Sequence, residues 1–164
     1  MILDKFLTFF LDKEEYGLPI SNVKEIIGLP NITYIPQMPD FVKGVINLRG
    51  KIIPVIDLRI RLGFKEKEYD ERTCIIVTEI EKKESKKLIG LVVDNVSEVL
   101  KIAEEEMEQP PVYSENEMNK LVLSIANIKT KNKIVILLDA TKIFRKSEIN
   151  EMDFLNEYNQ NEFN

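Results

Sequence analysis

Residues 39–63 read PDFVKGVINLRGKIIPVIDLRIRLG, and this stretch decides the fold class. Residues 45–48 and 51–58 are two runs rich in Val, Ile and Leu, divided by Arg49 and Gly50. Two such runs around a two-residue break predict a β-hairpin, with the glycine taking the positive φ that the turn needs. Asn-Gly or Asp-Gly is the usual pair at this position. An arginine at the apex is therefore expected to serve through its guanidinium, either against a partner or in a local pair that stiffens the hairpin. Pro54 has no N–H to donate, which predicts an edge position or a bulge in the second strand. An edge strand can accept another chain.

Outward from this hairpin, short β-branched and aromatic runs bounded by turn residues begin near Phe6, Glu15, Ile32, Val45, Lys51, Thr73, Lys87, Val96, Leu121 and Lys133. About ten short strands with few helices predict an all-β sandwich or barrels. Helical signals are brief. Ser21 is expected to cap a turn over residues 22–27, where Val23, Ile26 and Ile27 recur at helical spacing, and Asp139 another over 140–144. Residues 147–158 place Ile149, Met152, Leu155 and Tyr158 at steps of three, a weak amphipathic pattern expected to dock or fray. The six glycines are each expected beside a strand end. The run EKKESKK at 81–87 predicts an exposed hairpin loop, and residues 103–119, with Pro110-Pro111 and six glutamates, a long mobile connection.

Length and composition exclude several classes. A chain of 164 residues that is 44% hydrophobic has material for one domain or two compact subdomains sharing a core. Its 23 basic and 28 acidic residues speak against a basic nucleic-acid footprint. Five acids and no bases fall in residues 147–164, leaving a neutral body and an acidic, Asn-rich tail. The single cysteine, Cys74, has no internal partner, which predicts a cytosolic protein rather than a stapled secreted fold. The apolar residues 6–11 are flanked by Asp4 and Asp12 with no cleavage site after them, so no signal peptide is expected, and no run approaches the roughly 18 residues of a membrane span.

There is no histidine in the chain, which removes the commonest general base and every histidine-dependent zinc signature, and one cysteine cannot build a thiolate cage. No Gly-rich phosphate loop occurs. No cofactor or metal is expected. Carboxylates remain: Asp57, Asp94 and Asp139 each end an apolar run (PVID, LVVD, ILLD). Two of them brought together would suit acid and base chemistry, whereas separately each is expected to end its strand by capping a turn. Without a nucleophile, metal site or oxyanion donors beside them, capping is the favoured reading.

The segment GVINLRGKIIPVIDL resembles the central motif of the CheW-type chemotaxis coupling proteins. EEYGLPISNVKEI and LIGLVVDNVSEVL resemble two further blocks of that family in the same order, and the similarity runs over residues 6–144. The resemblance implies two small five-stranded, SH3-like β-barrels sharing a hydrophobic interface within residues 1–146, with 147–164 as a separate tail. It also implies a non-catalytic adaptor joining the regulatory domain of a CheA-type histidine kinase to the cytoplasmic tips of chemoreceptors. Such a protein is cytoplasmic and reaches membrane receptor clusters through its partners. In the family picture a receptor helix enters the groove between the barrels, while barrel ends meet the kinase domain.

Carried over residue by residue, the resemblance marks Arg49 with Gly44 in the central motif, Val23 and Glu25 in VKEI, and Gly90, Val96 and Val99 in GLVVDNVSEV as partner contacts. Core packing is the competing role for the valines. Two departures stand out: Asn95 where the family often has glycine, expected to keep access to positive φ, and Ser124 in place of a small glycine, followed by the slightly long loop KTKNK at 129–133. A regulatory domain cut from a larger kinase or receiver fusion is disfavoured by the start at Met1 and the lack of room for a second domain. Two readings from other classes stay open. One is a barrel binding single-stranded nucleic acid, disfavoured by the absence of Trp and the neutral body; the other is a carboxylate enzyme built on Asp57, Asp94 and Asp139.

Overall fold

The computed structural model describes residues 3–82, 85–109 and 121–143. Among the described residues eleven strands form two sheets, with one short helix outside them. The first sheet takes its strands from both ends of the chain: β1 (Leu3–Leu11), β2 (Glu14–Pro19), β8 (Asn95–Ala103), β9 (Met107–Glu108), β10 (Val122–Ile128) and β11 (Lys133–Leu138), in the order β8-β1-β2-β11-β10-β9. The second is the middle of the chain: β3 (Val23–Gly28), β4 (Val42–Leu48), β5 (Lys51–Asp57), β6 (Cys74–Lys82) and β7 (Ser85–Val93), in the order β3-β6-β7-β5-β4. Barrel two is thus inserted into barrel one. The chain crosses between them through a 3-10 turn at Ile20–Asn22 and through Asp94.

Most strands are apolar on both faces, and side-chain alternation assigns each face a different job. In β7, Leu88 and Val92 face the interior of barrel two, while Ile89, Leu91 and Val93 face a layer shared between the barrels. In β11, Val135 and Leu137 fill barrel one, and Ile136 and Leu138 turn to the shared layer. That layer also takes Leu7, Phe9 and Leu11 from β1, Ile76 and Ile80 from β6, and Ala140 and Ile143 from the last 3-10 turn. The largest core of the molecule therefore lies between the barrels, and the two behave as one packed body.

The predicted hairpin is present with Leu48 opposite Lys51. Both apex residues have positive φ, 50° at Arg49 and 85° at Gly50, the turn type that favours Asn-Gly. The Gly50 N–H donates to Asn47 Oδ1 at 2.9 Å. Pro54 was expected at an edge or a bulge, but β5 lies inside the sheet between β7 and β4, and Pro54 sits where its missing N–H does no harm. The Val45 N–H and C=O both point away to Thr33 (2.9 and 2.8 Å), so the facing Pro54 points away from β4, and pairing of β5 with β7 begins only at Val55.

Further expectations need correction, among them the loop at 81–87, where residues 81–82 end β6 and 85–87 open β7. Residues 23–28 form a strand, not a helical turn. A register shift between Val23 and Glu25 puts an extra residue into its alternation and mimics helical spacing. The strand expected near Ile32 is reduced to one bridge, Thr33 to Val45. Gly17, Gly44 and Gly90 lie inside strands rather than at their ends. A Cβ at Gly44 would sit 1.9 Å from the Thr33 carbonyl oxygen, at φ 140°, so glycine is what lets the segment after β3 close barrel two against β4. Asn95 opens β8 without positive φ. In the KTKNK loop the left-handed residue is Asn132, φ 50°. Ser124 lies at a bulge in β10 with its hydroxyl buried and, among the described residues, unpaired. The helical pattern of 147–158 and most of the connection after residue 109 lie outside the described residues.

Candidate functional site

Of the residues marked by the sequence, the fold brings two together. Arg49 Nη2 hydrogen-bonds Glu25 Oε1, joining the tip of the β4–β5 hairpin to β3, the other edge of the same sheet. The pair closes the open seam of barrel two at the hairpin end, as the Thr33 bridge closes it further along. The Arg49 side chain is 70% exposed, and its hydrogen bond with Glu25, then the Glu25 charge, raises its pKa. A guanidinium held by one carboxylate keeps further N–H groups for a second.

The other marked residues divide by position. Val23 and Val96 are half-buried against the shared layer. Val99 is 53% exposed on β8, which among the described residues pairs on one side only, with β1. Gly90 is buried: a Cβ there would sit 2.9 Å from Ile75 Cγ2, so its close approach is to a neighbouring strand of its own barrel. Gly44 has the similar role described above. The bulge sets Val23 and Glu25 on opposite faces of β3: Val23 pairs with Thr78 and packs against the shared layer, Glu25 pairs with Val77, and Ile26 is 44% exposed.

The three aspartates are occupied in structural roles. Asp57 is fully buried at the start of helix α1 (Leu58–Arg61); its Oδ1 accepts the Arg59 N–H at 2.9 Å and its Oδ2 the Tyr69 O–H at 2.8 Å. Burial, then the Asp57 charge and hydrogen bond, hold the Tyr69 phenol well above its ordinary range. Asp139 accepts the N–H and hydroxyl of Thr141 at 3.0 and 2.6 Å, capping the final 3-10 turn. These two cap as expected. Asp94 instead accepts from Arg59 Nη1 at 2.6 Å and from the Asp12 N–H at 2.8 Å. No acid and base pair is left over, and among the described residues no group of His, Cys, Asp and Glu is placed to hold a metal.

Arg59 is the residue that sequence reasoning passed over. Its side chain is 6% exposed, with Nη1 2.6 Å from both Asp12 Oδ1 and Asp94 Oδ2. Nε and Nη2 donate to the Lys65 carbonyl at 3.2 and 3.0 Å, and the guanidinium lies 5.8 Å from the centre of the Phe64 ring. Burial opposes its charge, but the hydrogen bonds and charges of Asp12 and Asp94 win, so its pKa is raised. Phe64 meets Tyr16 edge-on, and Tyr16 stacks on Phe9, so the cluster is continuous with the shared layer. Arg59 belongs to barrel two, Asp12 to the β1–β2 turn of barrel one, and Asp94 to the crossing between them. The available signal was an arginine inside the apolar run LRIRLG: a charge placed among residues that must be buried needs a partner.

A third set of charges lies on barrel one. Lys133 Nζ is 3.0 Å from Glu15 Oε2 and 2.9 Å from Glu98 Oε2, and Lys131 Nζ is 2.7 Å from Glu98 Oε1. Where β8 bulges opposite Leu7 and Phe9, the Thr8 hydroxyl donates to the Glu98 carbonyl and accepts from its N–H, replacing the lost ladder bonds.

Comparison with known proteins matches this arrangement to one family. The family model described as the CheW-like domain matches residues 5–148. The chemotaxis protein CheW of Klebsiella aerogenes is 36% identical over 149 residues, covering 91% of this chain and 86% of that protein. The corresponding protein of Bacillus subtilis is 31% identical over 143 residues, covering 87% of this chain and 88% of that protein. The crystal structure of the scaffolding protein TtCheW from Thermoanaerobacter tengcongensis superposes with a TM-score of 0.76 at 36% identity, covering 90% of this chain and 92% of that one. The two sheets correspond to the two SH3-like subdomains of that structure. Among the described residues no helix is long and apolar enough to cross a membrane. The chain belongs to the CheW-like domain family, whose members are non-catalytic chemotaxis adaptors.

Proposed function

We propose that this chain joins a CheA-type histidine kinase to the cytoplasmic tips of chemoreceptors. It acts in the cytoplasm and reaches receptor clusters through those two partners. The observation that carries the reading is the pair of surfaces offered by one rigid body. The shared layer locks two barrels together, so a protein held by one barrel is fixed in orientation relative to a protein held by the other. A helix laid between them would find half-buried Val23 and Val96, the mixed apolar and polar setting of helix-in-groove recognition. Arg49, already steered by Glu25, is suited to a second carboxylate on a partner helix, and exposed Val99 on β8 to an apolar contact. Gly44 and Gly90 support these surfaces through the backbone of barrel two. Residues 1–146 form the binding unit.

Arg49→Ala tests the contact. We expect receptor-tip capture to weaken by about tenfold, the scale of losing an interface arginine, while the thermal midpoint barely moves. Undiminished capture, or capture lost together with the fold, would reduce Arg49 to a seam closure.

A further inference from the structure

We propose that Arg59 is a positioning residue that sets the angle between the two barrels, and through it the shape of the groove between them. The shared apolar layer holds the barrels in contact, but dispersion and burial have little directional preference. Direction comes from polar groups of fixed geometry. At the boundary between the barrels the planar guanidinium provides it: Nη1 spans two carboxylates at 2.6 Å, one on the first hairpin of barrel one and one on the crossing, while Nε and Nη2 are pinned by the Lys65 carbonyl within barrel two. The Asp12 N–H donating to Asp94 Oδ2 ties the hairpin to the crossing, and the Asp94 N–H donates back to the Phe10 carbonyl at 3.2 Å. Asp12 holds φ 57° as the first residue of the two-residue turn between Leu11 and Glu14, a position where aspartate is favoured. Asp57 fixes the other side by accepting the Arg59 N–H, which orients the whole first turn of α1. Each donor of the guanidinium in this set reaches a residue of barrel one, the crossing, or the loop after α1. A lysine offers charge but no fork, and cannot hold all three at once.

The consequence for binding rests on the proposed receptor groove. If the angle is pre-set, the free protein is already in the binding conformation; if it wanders, the apparent affinity falls by the fraction of molecules in that conformation. The test uses the full chain with Cys74→Ala as background and spin labels at Thr130 on barrel one and Lys51 on barrel two, with Thr130 and Ser97 as a control pair within barrel one. Arg59→Gln is expected to broaden or shift the distance distribution between barrels and leave the control pair unchanged. Affinity for a receptor-tip fragment should fall by about tenfold, while affinity for the kinase regulatory domain, which engages a barrel end, stays within about twofold. Arg59→Lys should fall between the two. Asp12→Asn, a change at a half-exposed turn, should broaden the same distribution to a smaller extent and decides the matter where Arg59→Gln does not fold. An unchanged distribution between barrels in folded Arg59→Gln, or in Asp12→Asn where the former does not fold, overturns the proposal. A wild-type chain that fails to bind the receptor fragment would instead remove the receptor reading, with the distance measurement still deciding the role of Arg59.

Discussion

Arg49 and Arg59 stand ten residues apart on either side of β5, and the same side chain does opposite work at the two places. Arg49 lies at an exposed turn, makes one ion pair, and keeps donors facing solvent. Arg59 is buried, meets two carboxylates and a carbonyl, and has its guanidinium over an aromatic ring. The difference is one of dielectric and alternatives. In water the Arg49 pair competes with hydration and salt, so its net worth to folding is small, and the guanidinium remains available to another molecule. Removed from water, the Arg59 set has no such competitor, and losing one member strands the others. An arginine that is cheap to remove from the fold is free to serve binding, whereas one that is costly to remove serves geometry.

Truncation of Arg59 gives the largest expected effect. Arg59→Met leaves Asp94, 11% exposed, without its cation, and should cost about 3 kcal/mol, lowering the thermal midpoint on the order of 10 °C. The loss should persist in 1 M salt. A melt within a degree or two of wild type would erase the contrast with Arg49. Next comes Gly44→Ala, which forces a Cβ against the Thr33 carbonyl and breaks the backbone half of the seam that Arg49 closes by charge. Equilibrium urea unfolding should show a loss of roughly 2–3 kcal/mol, set by strain at positive φ plus the lost bridge.

The charges of barrel one fall between the two arginines, and pH separates them. Hydrogen bonds from Lys131 and Lys133 hold the Glu98 carboxyl below its usual 4.5, so its contribution is complete above that pH and is lost as pH falls through the lowered value. Burial opposes the Lys133 charge, but hydrogen bonds to Glu98 and Glu15 raise its pKa above 10.5; that contribution is present below 10.5 and disappears as pH rises through the raised value. Stability from this set is thus level across neutral pH and falls at both extremes. Lys133→Met should lower the midpoint at pH 7 and flatten both limbs, which a series of melts from acid to alkaline pH would read directly. The smallest effect belongs to Arg49. Because its turn has positive φ at both positions, Arg49→Asn should melt no lower than Arg49→Ala and be less sensitive to salt than wild type, since asparagine suits the turn where the ion pair is gone. If Arg49→Asn instead melts well below wild type at every salt concentration, the seam pair is structural after all.

The β4–β5 hairpin, the all-β class and the capping roles of Asp57 and Asp139 were legible in the sequence because each depends on neighbours within a few residues. Strand β3 was not, since the bulge at Val23 and Glu25 spaces its apolar residues as a helix would. The strand near Ile32 failed for a related reason: a single bridge to Val45 leaves no ladder for alternation to report. Pairing across distance was the least legible. Arg59 finds Asp12 and Asp94 at separations of 47 and 35 residues, and Arg49 finds Glu25 at 24, which no local pattern encodes. That one face of strands such as β7 belongs to a second barrel emerges only from the topology.

Simultaneous occupancy is the most direct measure of the adaptor role. The full chain, a kinase regulatory domain and a receptor-tip fragment should be mixed and followed by size-exclusion chromatography with light scattering. The account predicts one species containing all three, with the receptor fragment eluting beside the kinase domain only when the chain is present. Displacement of either partner by the other, or binding of neither, would contradict it.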